Sequence, residues 1–208
     1  MDDADGLDAL AAKARACRIC VEAPLQPDPL PHEPRPVLVP SATARLCIAG
    51  QAPGMRVHLS GKPFDDRSGA WLREWMGVTT DEFYDPSRCA IVPMGFCFPG
   101  YDAKGSDMPP RRECRATWHD ALFALMPRIE LVLAIGAHAQ AYHLGRARAR
   151  TMTETVAYWR RHMLRNERPR VLPLPHPSWR NTGWLRRHPW FEAEVVPALR
   201  EEVRRLIG

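Results

Sequence analysis

The chain has no long apolar run. Its opening residues, MDDADGLDALAAKA, are acidic and interrupted by charge, which argues against both a secretory leader and a membrane span. Internal repeats and low-complexity blocks are also missing. Neither GxGxxG nor GxxxxGK[ST] occurs, so a small-nucleotide enzyme that cradles phosphate in its glycine-rich loop is poorly supported. Lysine is absent from the last third. Residues 145–208 carry 14 arginines against 6 carboxylates, a net of +8, whereas residues 1–36 carry 4 basic and 7 acidic groups and residues 37–144 carry 11 of each. Arginine reads phosphate with two parallel donors, so this bias suits a nucleic-acid partner; a solvated basic surface is the plainer alternative. With no leader, a cytoplasmic location is expected, and structural disulfides are rare there.

What is present begins with cysteine. Four of the six, Cys17, Cys20, Cys97 and Cys114, bracket a glycine-rich loop, Gly50-Gln51-Ala52-Pro53-Gly54. Thiolates are soft donors for iron-sulfur clusters or zinc, and a CxxC turn points two of them at one centre. A close pair followed by two distant partners is metal-ligand spacing, with unconnected free thiols as the alternative. Cys47 and Cys89 sit in or beside the apolar runs LCIAG and RCAIV and read as small core residues.

With 208 residues and 45% hydrophobic content, the chain can bury one core, so residues 1–208 read as a single domain. Residues 6–16 read as a short helix leading into the CxxC turn. Seven prolines between Pro24 and Pro40 rule out a helix or a central strand there, leaving an extended strap over the surface. Four runs have strand character: 46–50, 90–94, 131–136 and 170–175. Helical periods fall at 69–76, 111–126 and 137–144. This alternation implies a parallel sheet covered on both faces. Residues 145–170 carry no motif and read as an arginine-bearing helix set against DNA.

Parallel sheets bind ligands beyond the carboxyl ends of their strands, and three segments there are chemically dense. The first strand is followed by Gly50–Gly54 and then by Gly61-Lys62-Pro63-Phe64-Asp65-Asp66-Arg67-Ser68-Gly69. The second leads into Pro93-Met94-Gly95-Phe96-Cys97, and the fourth into His176-Pro177-Ser178-Trp179-Arg180-Asn181. One small site can be built from all three.

In this order, these residues resemble the uracil-DNA glycosylase superfamily, most closely its family 4 branch with a four-iron four-sulfur cluster. The similar features are the GEAPG-like loop, the GxPFxxxxG segment, the cysteine order and the HPS-type motif, from about Cys17 to about Trp184. The resemblance implies a three-layer α/β/α domain with a four-stranded parallel sheet. It makes Cys17, Cys20, Cys97 and Cys114 the ligands of a 4Fe-4S cluster, zinc being the alternative, with Phe64 stacking on an extruded base and His176 donating to it. Pro93 and Met94 then line the base site. Ser178, Arg180 and Asn181, with Pro53 and Gly54, face the DNA backbone. The loop from Phe98 to Glu113, with Arg111 and Arg112, is held between two cysteines as a surface that can lie along DNA.

The chain departs from that pattern at two positions. Gln51 stands where family 4 has glutamate, so it orients water through its amide oxygen but cannot ionise. Asp65 or Asp66 offers a compensating carboxylate, and Asp66 is also placed to cap the next helix. Pro93 replaces an asparagine whose amide reads the uracil edge, and proline offers no side-chain hydrogen bond. The expected function is a monomeric DNA glycosylase that hydrolyses the N-glycosidic bond of uracil or another altered base in base-excision repair. The alternative is a catalytically weak or inactive relative that binds damaged or single-stranded nucleic acid. His32, His58, His119, His138, His143, His162 and His188 are expected to be structural.

Overall fold

The computed structural model describes residues 3–208, and over them the four apolar runs become strands. These are β1 (Leu46–Ala49), β2 (Cys89–Ile91), β3 (Leu131–Ile135) and β4 (Arg170–Leu174). All neighbouring pairs are parallel, in the order β2-β1-β3-β4. Only Arg170, the first residue of β4, is not fully buried, as expected of strands covered on both faces.

Alternation along each strand sorts the core into two layers. Leu46, Ile48, Leu131, Leu133, Ile135, Leu172 and Leu174 face one layer, which is closed by the Arg67–Met76 and Val196–Ile207 helices. Cys47, Ala49, Val132, Ala134 and Val171 face the other, against Leu7 and Ala14 of the Asp3–Arg15 helix and Leu122, Met126 and Ala139. The fold is a three-layer α/β/α domain. Val196, Leu199, Val203, Leu206 and Ile207 recur at helical spacing and bury one stripe of the last helix. Cys47 and Cys89 lie in the sheet, where burial pushes both thiols up to about 12.

Two elements differ from expectation. The second strand is shorter than 90–94, because Pro93 has no N–H to continue the ladder. The helix read over 111–126 spans Arg112–Ala124 and contains a π-helical turn at Arg115–His119, which places His119 inside the protein.

The proline-rich segment is extended, as its composition requires. It also closes an edge of the sheet: Val39 and Ile91 exchange backbone hydrogen bonds, and Val37 N–H donates to the Phe96 carbonyl at 2.7 Å. Residues 145–170 contain the Met152–Ala157 and Trp159–Met163 helices, the first opened by a Thr151/Glu154 capping box. Their Val156 and Trp159 pack into the core beside β4, so this stretch covers the sheet. Part of the arginine surplus is held in ion pairs, including Arg160 with Glu194 and the two-pronged Arg170–Glu202 pair. Among the described residues no helix is long and apolar enough to cross a membrane.

Candidate active site

At the carboxyl ends of the strands lies a small pocket, open to solvent, with a cavity volume of about 40 Å³. Its walls come from all three dense segments: Gly50, Gln51, Pro53 and Gly54 after β1, Phe64 and Asp66 from the next loop, Pro93 after β2, and His176 after β4. A wider groove of about 410 Å³ shares Gln51, Pro53, Gly54, Asp66 and His176 and continues past Ser178, Trp179, Arg180 and Asn181. The backbone beyond β1 is stitched to the segment after β2, with Met94 N–H donating to Gly50 O and Gly95 N–H to Gln51 O, both at 2.9 Å.

Phe64 has a left-handed backbone, φ 55°, uncommon for a bulky residue and a mark of a position held by its surroundings. Two glycines make room for it. A Cβ on Gly50 would stand 3.1 Å from the tip of the Phe64 ring, and one on Gly69 would stand 1.8 Å from the Phe64 carbonyl oxygen. The ring also meets Phe83 edge to face, with centroids 5.9 Å apart. The anchored ring forms part of the pocket wall. Gly69→Ala is expected to shift the loop and displace the ring, because its Cβ would overlap the Phe64 carbonyl oxygen. A fall in melting temperature checks this.

His176 is fixed by the turn that follows it. Asn181 Nδ2 donates to the His176 carbonyl at 2.7 Å, Ser178 N–H donates to the same oxygen at 2.9 Å, and Ser178 Oγ accepts from Arg180 N–H. Ser178 and Asn181 therefore build the turn, and Arg180 is left facing the groove beside the exposed Trp179 ring. Burial holds the His176 pKa below the ordinary histidine value, against the opposing pull of Asp66 and Asp107. The ring is neutral at neutral pH and keeps one N–H to donate.

Asp66 lines both hollows, while its Oδ1 accepts from Gly69 N–H at 2.8 Å as the cap of the Arg67–Met76 helix. Asp65 is not part of the walls. Neither is Met94, whose side chain turns into the core beneath the sheet. Pro93 does line the pocket, but its carbonyl oxygen lies 3.1 Å from His119 Nε2. A family model described as the uracil DNA glycosylase superfamily matches residues 36–200.

The chain belongs to that superfamily. Its function is DNA-glycosylase-like at that level. Arg111 is not on the surface of this superfamily member. It is buried, donating to Glu113 Oε1 and to the Asp28 carbonyl, while Glu113 also accepts from Leu25 N–H at 3.0 Å. The pair ties the strap to the segment carrying Cys114.

Sequence reasoning missed two groove residues. Trp179 was visible in the HPS segment but carried no role until its 69% exposure put a bare indole at the rim. Asp107 lies in a polar loop with no motif. A hairpin closed by pairing of Tyr101 with Asp107 brings its Oδ2 to 3.9 Å from where a Cβ would stand on Gly54.

Cys20 and Cys97 share one small buried cluster. Cys20 and Cys114 influence each other, with Cys20 lowered to about 7 and Cys114 raised, and burial pushes Cys97 up to about 12. Phe96 N–H donates to Cys114 Sγ at 3.3 Å, and the Arg35 backbone serves Cys97 in the same way. Thiols grouped under backbone N–H donors have the donor chemistry of an iron-sulfur site. Among the described residues no three His, Cys, Asp or Glu side chains are placed to hold a single ion.

Proposed function

We propose that the protein is a DNA glycosylase that hydrolyses the N-glycosidic bond of uracil or another altered base. The observation that carries this reading is the Phe64 ring and the His176 imidazole on the walls of one pocket, beyond the ends of the strands. A base swung out of the stack binds by its π-face to Phe64, whatever its edge, and unstacking costs least at a damaged or single-stranded position. As the bond from C1′ to the base nitrogen breaks, negative charge collects on the base, and a neutral imidazole N–H aimed at it stabilises that charge. Gln51 and Asp66 flank the place where water approaches the sugar. Arg180 and the Pro53–Gly54 backbone border the path of the phosphates.

Base identity is read by something other than an amide at position 93, because Pro93 supplies none. A panel of single-stranded and duplex oligonucleotides, each with one uracil, hypoxanthine or xanthine, tests the proposal through alkali-labile abasic sites. Release from at least one substrate is expected, and no release from any of them rejects it. Gln51 and Pro93 favour the second reading, a relative that binds altered DNA without hydrolysis. Salt-sensitive binding that survives His176→Ala, with no base release, supports that version.

We further propose that Cys17, Cys20, Cys97 and Cys114 hold a 4Fe-4S cluster in a structural role. Such a cluster attaches each thiolate to a different iron, so its ligands stand around it and do not meet at a point, whereas zinc draws all four to one centre. Purified protein is expected to be brown and to contain iron and acid-labile sulfide, both reduced by Cys114→Ser. A colourless protein with stoichiometric zinc overturns the assignment.

A further inference from the structure

We propose that Asp107 is the catalytic general base of this site, an inference that rests on the glycosylase reading. Hydrolysis needs an acceptor for the proton of the attacking water, and Gln51 cannot ionise. Among the described residues the only carboxylates lining the pocket and its groove are Asp66 and Asp107. Asp66 has one oxygen committed to the cap of the Arg67–Met76 helix. Asp107 has no such engagement among the described hydrogen bonds. Its Oδ2 lies 3.9 Å from where a Cβ would stand on Gly54, in the groove that shares Gln51, Gly54 and His176 with the pocket.

The hairpin holds it there. Asp102 Oδ1 accepts from Lys104 N–H and Ser106 N–H at 2.8 and 2.9 Å, Asp102 N–H donates to Ser106 O, and Met108 N–H donates to Gly100 O. The titratable groups facing Asp107 are Arg180 and the neutral His176 from the turn after β4, and Asp66 from the loop before its helix. Partial burial and Asp66 together leave the carboxyl above the ordinary aspartate value of 3.8, despite Arg180 and His176. That direction is towards the range of a useful base.

In the step, the water oxygen bonds to C1′ of the sugar as the C1′–N bond breaks and its electron pair leaves on the base. Asp107 takes the water proton. The base departs as an anion hydrogen-bonded to His176 N–H, then gains a proton from solvent, to which Asp107 returns its own. No other reactant is needed.

Asp107→Asn is expected to slow single-turnover release of base by about 10²-fold, at the low end of what a general base supplies. It should also abolish the acid limb of the pH–rate profile, which in the parent chain lies above pH 3.8. Gln51→Glu added to Asp107→Asn is expected to restore part of the rate, which a merely structural defect does not permit. A second measurement needs no turnover: the parent chain should prefer DNA with a protonated pyrrolidine abasic analogue over its neutral tetrahydrofuran counterpart, and Asp107→Asn should lose that preference. An unchanged rate and acid limb in Asp107→Asn, an acid limb removed by Asp66→Asn instead, or an undiminished preference for the cation overturns the proposal. Absence of base release from the parent chain rejects the glycosylase reading, and the cation preference still judges Asp107.

Discussion

His176→Ala is expected to release uracil from a single-stranded oligonucleotide about 10²–10³-fold more slowly than the parent chain, the usual cost of removing one preorganised donor to a developing anion. The effect belongs to the chemical step. His176 is neutral because burial disfavours its charged form, so it enters the reaction with an N–H already aimed and no proton to shed. Acid should therefore titrate it later than it would an ordinary histidine. Binding of the substrate should change little, since Phe64 and the groove are intact. Single-turnover rates with a separate anisotropy titration separate the two quantities. Asn181→Ala is expected to act in the same direction but by roughly fivefold, because it loosens the carbonyl of His176 without removing the ring.

Glu113→Ala is expected to destabilise the protein by about 3–5 kcal/mol, the range for leaving one member of a buried ion pair alone. Glu113 and Arg111 are 1% and 6% exposed, and truncation leaves the guanidinium with only the Asp28 carbonyl among its described partners while Leu25 N–H loses its acceptor. At roughly 2–4 °C per kcal/mol for a chain of this size, the melting temperature should fall by about 10 °C. Glu113→Gln should cost less, as an amide oxygen can still accept from Leu25. Burial alone would raise the Glu113 pKa, but the Arg111 and backbone hydrogen bonds outweigh it and the net direction is down. Its contribution is therefore complete above the ordinary glutamate value of 4.5 and is lost as the pH falls through the lower folded value. The gap in melting temperature between the parent chain and Glu113→Gln should narrow in acid, which a pH series of thermal melts reads directly.

Both sites show which parts of this structure can be read from residues alone. The strands were legible because a parallel sheet buried on both faces demands continuous apolar runs, and LCIA and LVLAI are such runs. Phe64, Gln51 and His176 were legible as neighbours because each follows directly on a strand or its loop, where parallel topology gathers residues. Asp65 and Asp66 could not be told apart by sequence: adjacent residues point in different directions, and the helix cap decided that Asp66 faces inward. Asp107 was invisible because its approach to Gly54 is made by a hairpin of unremarkable polar residues folding back across a long stretch of chain. Arg111 misled for a related reason. Arginine in a polar loop looks like a surface charge until a buried glutamate two residues away is found to claim it. Thr151 and Glu154 form a capping box, a helix-start signal that the reading of residues 145–170 as motif-free passed over.

The pairing of Val39 with Ile91 along the outer margin of β2 has a consequence for solubility. A bare strand margin is a template on which a second molecule can add its own backbone, the first step towards precipitation. Replacing Val39 with proline removes the N–H given to Ile91 and should be read first as light scattering on storage. Shelf life in this protein is then set by a ribbon of chain laid along one edge of the sheet.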